Sequence, residues 1–373
     1  MDKHLHIVTH DVPWPADYGG VIDIFYTLKA LHEQGVNIHL HCFTHKRQPQ
    51  KELEKYSGSV NYYPRKKNSS SFSFSLPLIV NSRVDKDLIT NLQKDNHPIL
   101  LEGIHCTYYL HNGQLNNRKV IVRLFNTEFE YYKQLATLET NLFKKPYYFH
   151  ESRLLKKYEQ VIANKAMILA LSKQDVDIYQ QVFKAPNIHY LPVFLPYTLV
   201  VGKEGKGSYC MYHGNLAINE NEKAAIWLLQ HVFSKLTIPF VIAGKSPSKK
   251  LQKLAHSHQH TCLVANPTDK EMQDMIGKAH VHVLPSFNNT GIKLKLLNAM
   301  FNGRHCLVNK AGVAGSGLET YCNIADDAIS FQQKIEALYL QPFTQQEIEQ
   351  RKGLLKTMYN NEKNAKELMT FLW

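Results

Sequence analysis

The sequence predicts an α/β protein made of two parallel-sheet domains joined by a short linker. Three observations carry this reading. Strand and helix patterns alternate from residue 4 onward, glycine-containing turns stand where strands give way to helices, and the alternation breaks over 192–207 before restarting. Two prolines followed by a Gly/Lys-rich run mark that break as the linker. A length of 373 residues fits two domains better than one, and a hydrophobic share of 44% is enough for two real cores.

The elements of the first half follow in order. His4–Thr9 reads as the first strand. The polar turn HDVPWPADYGG leads into a helix over 21–34, where Ile24, Leu28 and Leu31 recur at helical spacing and Gly35 stands just past the end. Residues 36–43 form the next strand, completing a strand–helix–strand unit, which implies a parallel sheet. Strands over 60–63, 99–102, 120–123 and 167–171, with helices over 88–94, 129–137, 149–164 and 173–183, fill out this half.

Beyond the linker, strands over 209–213, 240–243, 261–264, 281–284 and 305–309 alternate with helices over 219–232, 249–255, 270–278 and 293–301. The tail is helical, with Ile348, Leu354, Leu355, Leu368 and Leu372 as its apolar markers. The expected boundaries are therefore 1–195 and 208–343, followed by a helical segment, 344–373, that packs back on the first domain.

Several function classes are excluded at this stage. No apolar run approaches the ~20 residues that span a bilayer, and the first residues turn polar too soon for a secretory signal. The six cysteines form no C-x-x-C pair and sit mostly in apolar surroundings, the usage of a reducing cytosol. The 20 histidines show no H-E-x-x-H spacing, and no D-x-D stands in a metal-binding context, so no metal is expected. The formal net charge of +12 favours anionic partners, but no helix-turn-helix or aromatic–basic platform points to nucleic acid. A cytoplasmic protein is expected, working at the inner face of the membrane if the cations and aromatics of 65–78 (RKKNSSSFSFSLPL) touch anionic lipid.

Two turns suit a phosphate. Gly19 and Gly20 directly precede a helix, where missing side chains let backbone amides approach an anion at the positive helix end. They are not part of a G-x-G-x-x-G, so a nicotinamide or flavin fingerprint is absent. The run PSFNNTGIKLKLLNAMFNGRHCLVN, from Pro285, places a small polar loop before a helix starting near Ile292, with Lys293 and Lys295 in its first turn. Cations there oppose the helix dipole, which points to a compensating anion such as a diphosphate. Lys245, after Ala243 and Gly244 at a strand end, is a further candidate.

These residues resemble the donor-binding region of glycosyltransferase-B (GT-B) fold enzymes, built from two Rossmann-like domains facing each other across a cleft. The likeness is greatest to the retaining bacterial mannosyl- and glucosyltransferases of polysaccharide synthesis, and it runs over nearly the whole chain. Asp11–Gly20 (DVPWPADYGG) resembles that family's N-terminal Gly-rich loop, and Asn126, Glu128, Tyr131 and Tyr132 resemble its N-x-E-x-x-Y-Y segment. Ser172 and Asp175 resemble the turn closing the first domain; Gly214–Asn215 and Gly244–Lys245 resemble the glycine turns opening the second.

The resemblance implies a donor site of Gly19, Gly20, Gly214, Asn215, Lys245, Thr290, Gly291, Ile292, Lys293, Lys295 and Asn298. Asn126 and Glu128 fall on the acceptor side. His10, Asp11, Glu102 and His105 follow strand ends and are the candidate acid, base or sugar-orienting groups. It also implies a nucleoside-diphosphate sugar as co-substrate with no further cofactor, a glycan or lipid-linked saccharide acceptor, and metal-independent hexosyl transfer. One departure stands out. The family's Glu-x7-Glu positions hold Thr290 and Asn298, so the carboxylates that would face sugar and ribose are missing. A nucleotide-sugar epimerase of the same fold and a catalytically degenerate sugar-nucleotide-binding protein therefore stay open beside the transferase.

Overall fold

The computed structural model describes residues 2–66, 71, 73–139 and 141–373; residues 67–70 and 72, inside the basic aromatic loop singled out above, lie outside the described residues. The chain divides into two compact units, Met1–Pro196 with Tyr359–Trp373, and Tyr197–Met358. The tail expected to return as one segment is thus split. Helix Gln345–Thr357 stays with the second unit, and only helix Asn361–Leu372 joins the first.

The first unit holds β1 (His4–Thr9), β2 (Asn37–Thr44), β3 (Ser59–Pro64), β4 (Ile99–Glu102), β5 (Val120–Leu124), β6 (Met167–Ala170) and β7 (Ile188–Tyr190). They form one sheet of order β3-β2-β1-β4-β5-β6-β7 with parallel neighbours throughout. Strand alternation sends neighbouring residues to opposite faces. Leu5, Ile7, Leu100, Ile121 and Leu169 pack with Phe25, Leu28 and Leu31 of helix Gly19–Glu33. Val8, Leu101, Val122 and Ile168 pack on the other face with Leu155, Tyr158 and Ile162 of helix Lys144–Ala163 and with Tyr179 and Phe183. Both faces are covered, which is why these strands read as near-continuous apolar runs. Leu368 and Leu372 bury against the first face, each such burial stabilising by about 1.5–3 kcal/mol. The Asn361 side chain fixes where that helix begins by bonding both backbone groups of Leu195 (3.0 and 2.8 Å).

The second unit holds β8 (Cys210–Asn215), β9 (Phe240–Lys245), β10 (Thr261–Ala265), β11 (Val281–Val283), β12 (His305–Val308) and β13 (Asn323–Ile324). Its sheet order is β10-β9-β8-β11-β12-β13, again parallel. Gly244 is required by the strands themselves: a Cβ there would lie 1.9 Å from the Gly214 carbonyl oxygen. Helix Gln345–Thr357 is tied down by the buried Arg351 guanidinium, which donates to the carbonyls of Met300 (2.8 Å), Gly303 (3.0 Å) and Arg304.

Among the described residues no helix is long and apolar enough to cross a membrane.

Candidate functional site

In both sheets the strand order reverses beside the first strand of the unit, at β1/β4 and at β8/β11. Ligands of open α/β sheets bind outside the carboxyl ends of the strands at such a switch point. The residues following these four strands are therefore the natural place to look, one edge in each unit.

In the second unit, β8 delivers Gly214 and Asn215, and β11 runs into the loop from Leu284 to Lys293. That loop is self-bonded. Asn288 Oδ1 accepts from the Thr290 amide (2.8 Å) and hydroxyl (2.7 Å), while Ser286 and Asn309 exchange hydrogen bonds. Gly291 has φ +66°, a left-handed turn that favours glycine, and it releases the chain into helix Leu294–Asn302. The helix begins two residues later than the sequence suggested. Lys293 is its N-cap residue, and its ammonium donates to the Thr290 carbonyl (2.6 Å).

Lys295 is the cation of this edge. Its ammonium donates to Tyr212 Oη (3.0 Å) and Asn221 Oδ1 (2.9 Å) and lies 4.8 Å from the Tyr212 ring centre. Asn221 is oriented in turn by its Nδ2, which donates to the Asn215 carbonyl (3.0 Å). No carboxylate of the described residues lies within ion-pair distance of Lys295. Burial pulls its pKa down to about 8; Glu220 opposes the fall and Lys293 adds to it. Glu220 brings a carboxylate to the same edge, accepting from Ser286 Oγ (2.8 Å). Asn298 points its carboxamide oxygen at Asn302 Nδ2 (2.8 Å) within the helix, and Lys245 is exposed at the end of β9.

In the first unit, β1 delivers His10 and Asp11, and β4 delivers Gly103 and His105. The His10 and His105 rings lie 5.1 Å apart, and a Cβ on Gly20 would come within 3.2 Å of the His10 ring. Gly20 thus lets the imidazole lie against the start of helix Gly19–Glu33. That helix has neither a side-chain cap nor an acidic residue in its first turn, leaving its positive end uncompensated. Asp11 is engaged by Tyr18 Oη (2.9 Å) and faces Arg47 Nε at 3.7 Å.

Arg83 stands behind the histidines. It is 6% exposed and donates to the carbonyls of His10 (2.9 Å) and Ile79 (2.7 Å), with no carboxylate of the described residues within ion-pair distance. Burial, reinforced by Arg65, lowers its pKa to about 10. Burial and the same arginines hold His10 down to about 3 and His105 well below its ordinary value. Both imidazoles are neutral at pH 7, each with an unbonded Nδ1. Glu128 completes the group: burial pushes its carboxyl up to about 7, Asp175 adds to the rise, and Asn126 and Arg83 oppose it.

Glu102 does not belong with these groups. It is 0% exposed, neither carboxylate oxygen has a hydrogen-bond partner, and burial lifts its pKa to about 8 beside the Arg123–Asp23 pair. A candidate acid or base from its position at the strand end, it is fully buried beside that pair. Sequence reading missed Arg83, Glu220 and the Tyr212–Asn221 seat of Lys295. Arg83 sits in no motif, and Glu220 looks like an ordinary acidic residue in a first helical turn.

Comparison with known proteins bears on these edges. Residues 207–341, which contain β8 to β13, match the family model described as glycosyl transferases group 1. A protein of Klebsiella pneumoniae described as an uncharacterized 44.6 kDa protein in the cps region is 28% identical over 355 residues, 88% of this chain and 89% of its own. Among solved structures, sucrose-phosphate synthase from Thermosynechococcus elongatus superposes with a TM-score of 0.71 at 13% identity, covering 99% of this chain and 98% of its own. TarM of S. aureus, in complex with Fondaparinux, alpha-GlcNAc-glycerol and UDP, gives 0.67 at 10%, with 99% of each chain covered. UGT89C1 of Arabidopsis thaliana, complexed with UDP-L-rhamnose, gives 0.60 at 11%, covering 100% of this chain and 99% of its own. These likenesses, with the two parallel sheets, establish the GT-B fold.

Proposed function

We propose, from the premise that this chain carries a group 1 glycosyltransferase domain in a GT-B fold, that it moves a hexose from a nucleoside-diphosphate sugar to a glycan or lipid-linked saccharide in cell-surface polysaccharide synthesis. The cps-region relative supports the setting. The observation that carries the donor is Lys295, a cation at a helix start with no carboxylate within ion-pair distance among the described residues, seated by Tyr212 and Asn221 at the β8/β11 switch point. A diphosphate supplies the missing negative charge, and charge-assisted bonds of this kind contribute about 1.5–3 kcal/mol. Lys295→Ala is therefore expected to weaken binding of the nucleoside-diphosphate sugar by ~10–100-fold in calorimetry. Unchanged affinity would remove the donor assignment.

Gly214, Gly291 and the helix start shape this pocket in the proposal, and lysines with helix amides take the place of a divalent ion. In the first unit, neutral His10 and His105 offer hydrogen-bond acceptors that orient an acceptor hydroxyl, burial having made them weak bases, and Arg83 attracts the negative part of the acceptor. A retaining course needs no such base, so the anomeric configuration of the product, read by NMR, decides between the two uses of the histidines.

Membrane contact is proposed for a separate surface of the first unit. Leu142 and Phe143 are 80% and 92% exposed beside Lys144 and Lys145 at the start of helix Lys144–Ala163, with Phe74 also exposed. Apolar side chains ringed by lysines suit an anionic lipid surface. Replacing Leu142 and Phe143 by serine is expected to reduce co-sedimentation with phosphatidylglycerol vesicles at least threefold. Equal binding of both proteins would dismiss the contact.

A further inference from the structure

The amino edge of the first sheet, at the opposite ends of β1 and β4 from the switch point, carries a group of histidines that glycosyl transfer does not use. β1 and β2 each contain an H-x-H, at His4 and His6 and at His39 and His41, and His97 lies in the loop entering β4. Alternate residues share a face, and the register pairs His6 with His39, so the four strand histidines stand side by side.

The inner pair is closed. His6 bonds His41 (2.9 Å) and Asp95 (3.0 Å), and the other His41 nitrogen bonds Tyr63 Oη (2.8 Å). The outer three are arranged differently. His4 Nδ1 lies 3.1 Å from His39 Nε2, and one ligand atom from each of His4, His39 and His97 lies within 4.8 Å of the others. Their ring centres are 4.6, 5.4 and 5.8 Å apart, and all three residues are half-buried. Imidazoles bound to zinc at about 2.0–2.1 Å in tetrahedral geometry hold their ligating nitrogens roughly 3.3 Å apart. The His4 and His39 nitrogens, hydrogen-bonded to each other here, lie within tenths of an ångström of this spacing, and the near-parallel rings (3–15° between planes) would turn to aim their nitrogens at one ion.

We propose that His4, His39 and His97 form a binding site for one Zn2+ ion, with water in the fourth position, separate from the transfer site and structural in role. With the metal on Nε2, His39 carries its proton on Nδ1, where Ser59 Oγ (3.1 Å) accepts it; this is the outer hydrogen bond that orients a ligating imidazole. Asp95 accepts from the His97 amide (2.9 Å), fixing the loop that presents the third ligand, and supplies nearby negative charge. The ion would fasten together the beginnings of β1 and β2 and the loop into β4. The ligands come from three separated segments, so no short motif announces them.

The test uses the full chain without an oligohistidine tag, stripped with a chelator and titrated with Zn2+ against a chromophoric competitor. One zinc per chain is expected, bound at least tenfold more weakly by His39→Gln and His97→Gln and unchanged in His189→Gln and Cys262→Ser. Zinc should raise the melting temperature of the wild type and not that of the two ligand variants. Co2+ should give a tetrahedral visible spectrum that His97→Gln abolishes. Should His39→Gln not fold, His97→Gln, in a loop, carries the test alone. Absence of stoichiometric zinc, zinc retained undiminished by His97→Gln, or zinc lost with Cys262→Ser would each overturn the proposal.

Discussion

The switch-point edges of the two units solve the same electrostatic problem in opposite ways. In the first unit, ionisable groups are packed together and burial suppresses their charge: His10 and His105 neutral, Glu128 raised to about 7. The fully buried ion pair Arg123–Asp23, at 2.9 Å, is held further by Thr27, the Pro192 carbonyl and the Phe194 amide, with Arg123 Nε left without a hydrogen bond. In the second unit, short polar side chains satisfy one another and Lys295 is held by neutral partners. Burial acts on both edges alike. On each it favours the neutral form: it keeps the proton on Glu128, takes it from His10 and His105, and draws the Lys295 ammonium down to about 8. In the proposed function the first edge orients the acceptor through neutral groups and the second meets the anionic donor.

The largest effect should come from breaking the structural pair. Arg123→Met leaves Asp23 buried without its counter-ion, and breaking such a pair typically destabilises by about 3–5 kcal/mol. Urea unfolding should show that loss in full. The matching change in the second unit, Lys295→Met, should cost far less stability while removing donor affinity, because no carboxylate of the described residues is left stranded. Equal losses in the two variants would break the contrast between a charge held for folding and one held for a ligand.

The pH dependence of donor binding sharpens the same contrast. Lys295 titrates at about 8 in the free protein, and a bound anion would hold its proton to higher pH. The protonated form is therefore favoured by the complex, and affinity must fall as pH rises through 8. A drop of roughly fivefold between pH 8 and 9 is expected, with proton uptake on binding in calorimetry. The diphosphate diester of the donor stays fully ionised across that window, so a flat profile would separate Lys295 from the diphosphate.

Much of the fold was legible because parallel strands covered on both faces are long apolar runs, as in Ile99–Glu102 and Val120–Leu124. The elements that escaped are short or lack an apolar signature: β7, the two-residue β13 and the first turn of helix Lys144–Ala163. The division of the tail depends on Arg351 reaching three backbone carbonyls, contacts no periodicity can show. At the sites, positions after strand ends were readable, but the direction of a side chain was not. Glu102 and His105 lie three residues apart; one carboxyl is sealed under the sheet, whereas the imidazole reaches the edge beside His10. Lys293 and Lys295 looked equivalent, yet one caps its own loop and the other is seated on Tyr212 and Asn221.

The smallest expected effect concerns the positions where the resemblance led to carboxylates. Asn298 Oδ1 accepts from Asn302 within helix Leu294–Asn302, and Thr290 Oγ1 is spent on Asn288. An oxygen already engaged by a neighbour has less to give a ligand, because binding through it must compete with an internal hydrogen bond of comparable strength. Asn298→Ala should therefore change donor affinity by less than about threefold, roughly 0.6 kcal/mol. A loss of tenfold or more would mean that Asn298 turns away from Asn302 to meet the nucleotide. It would also give the proposed donor a second polar side-chain contact in the second unit beside Lys295.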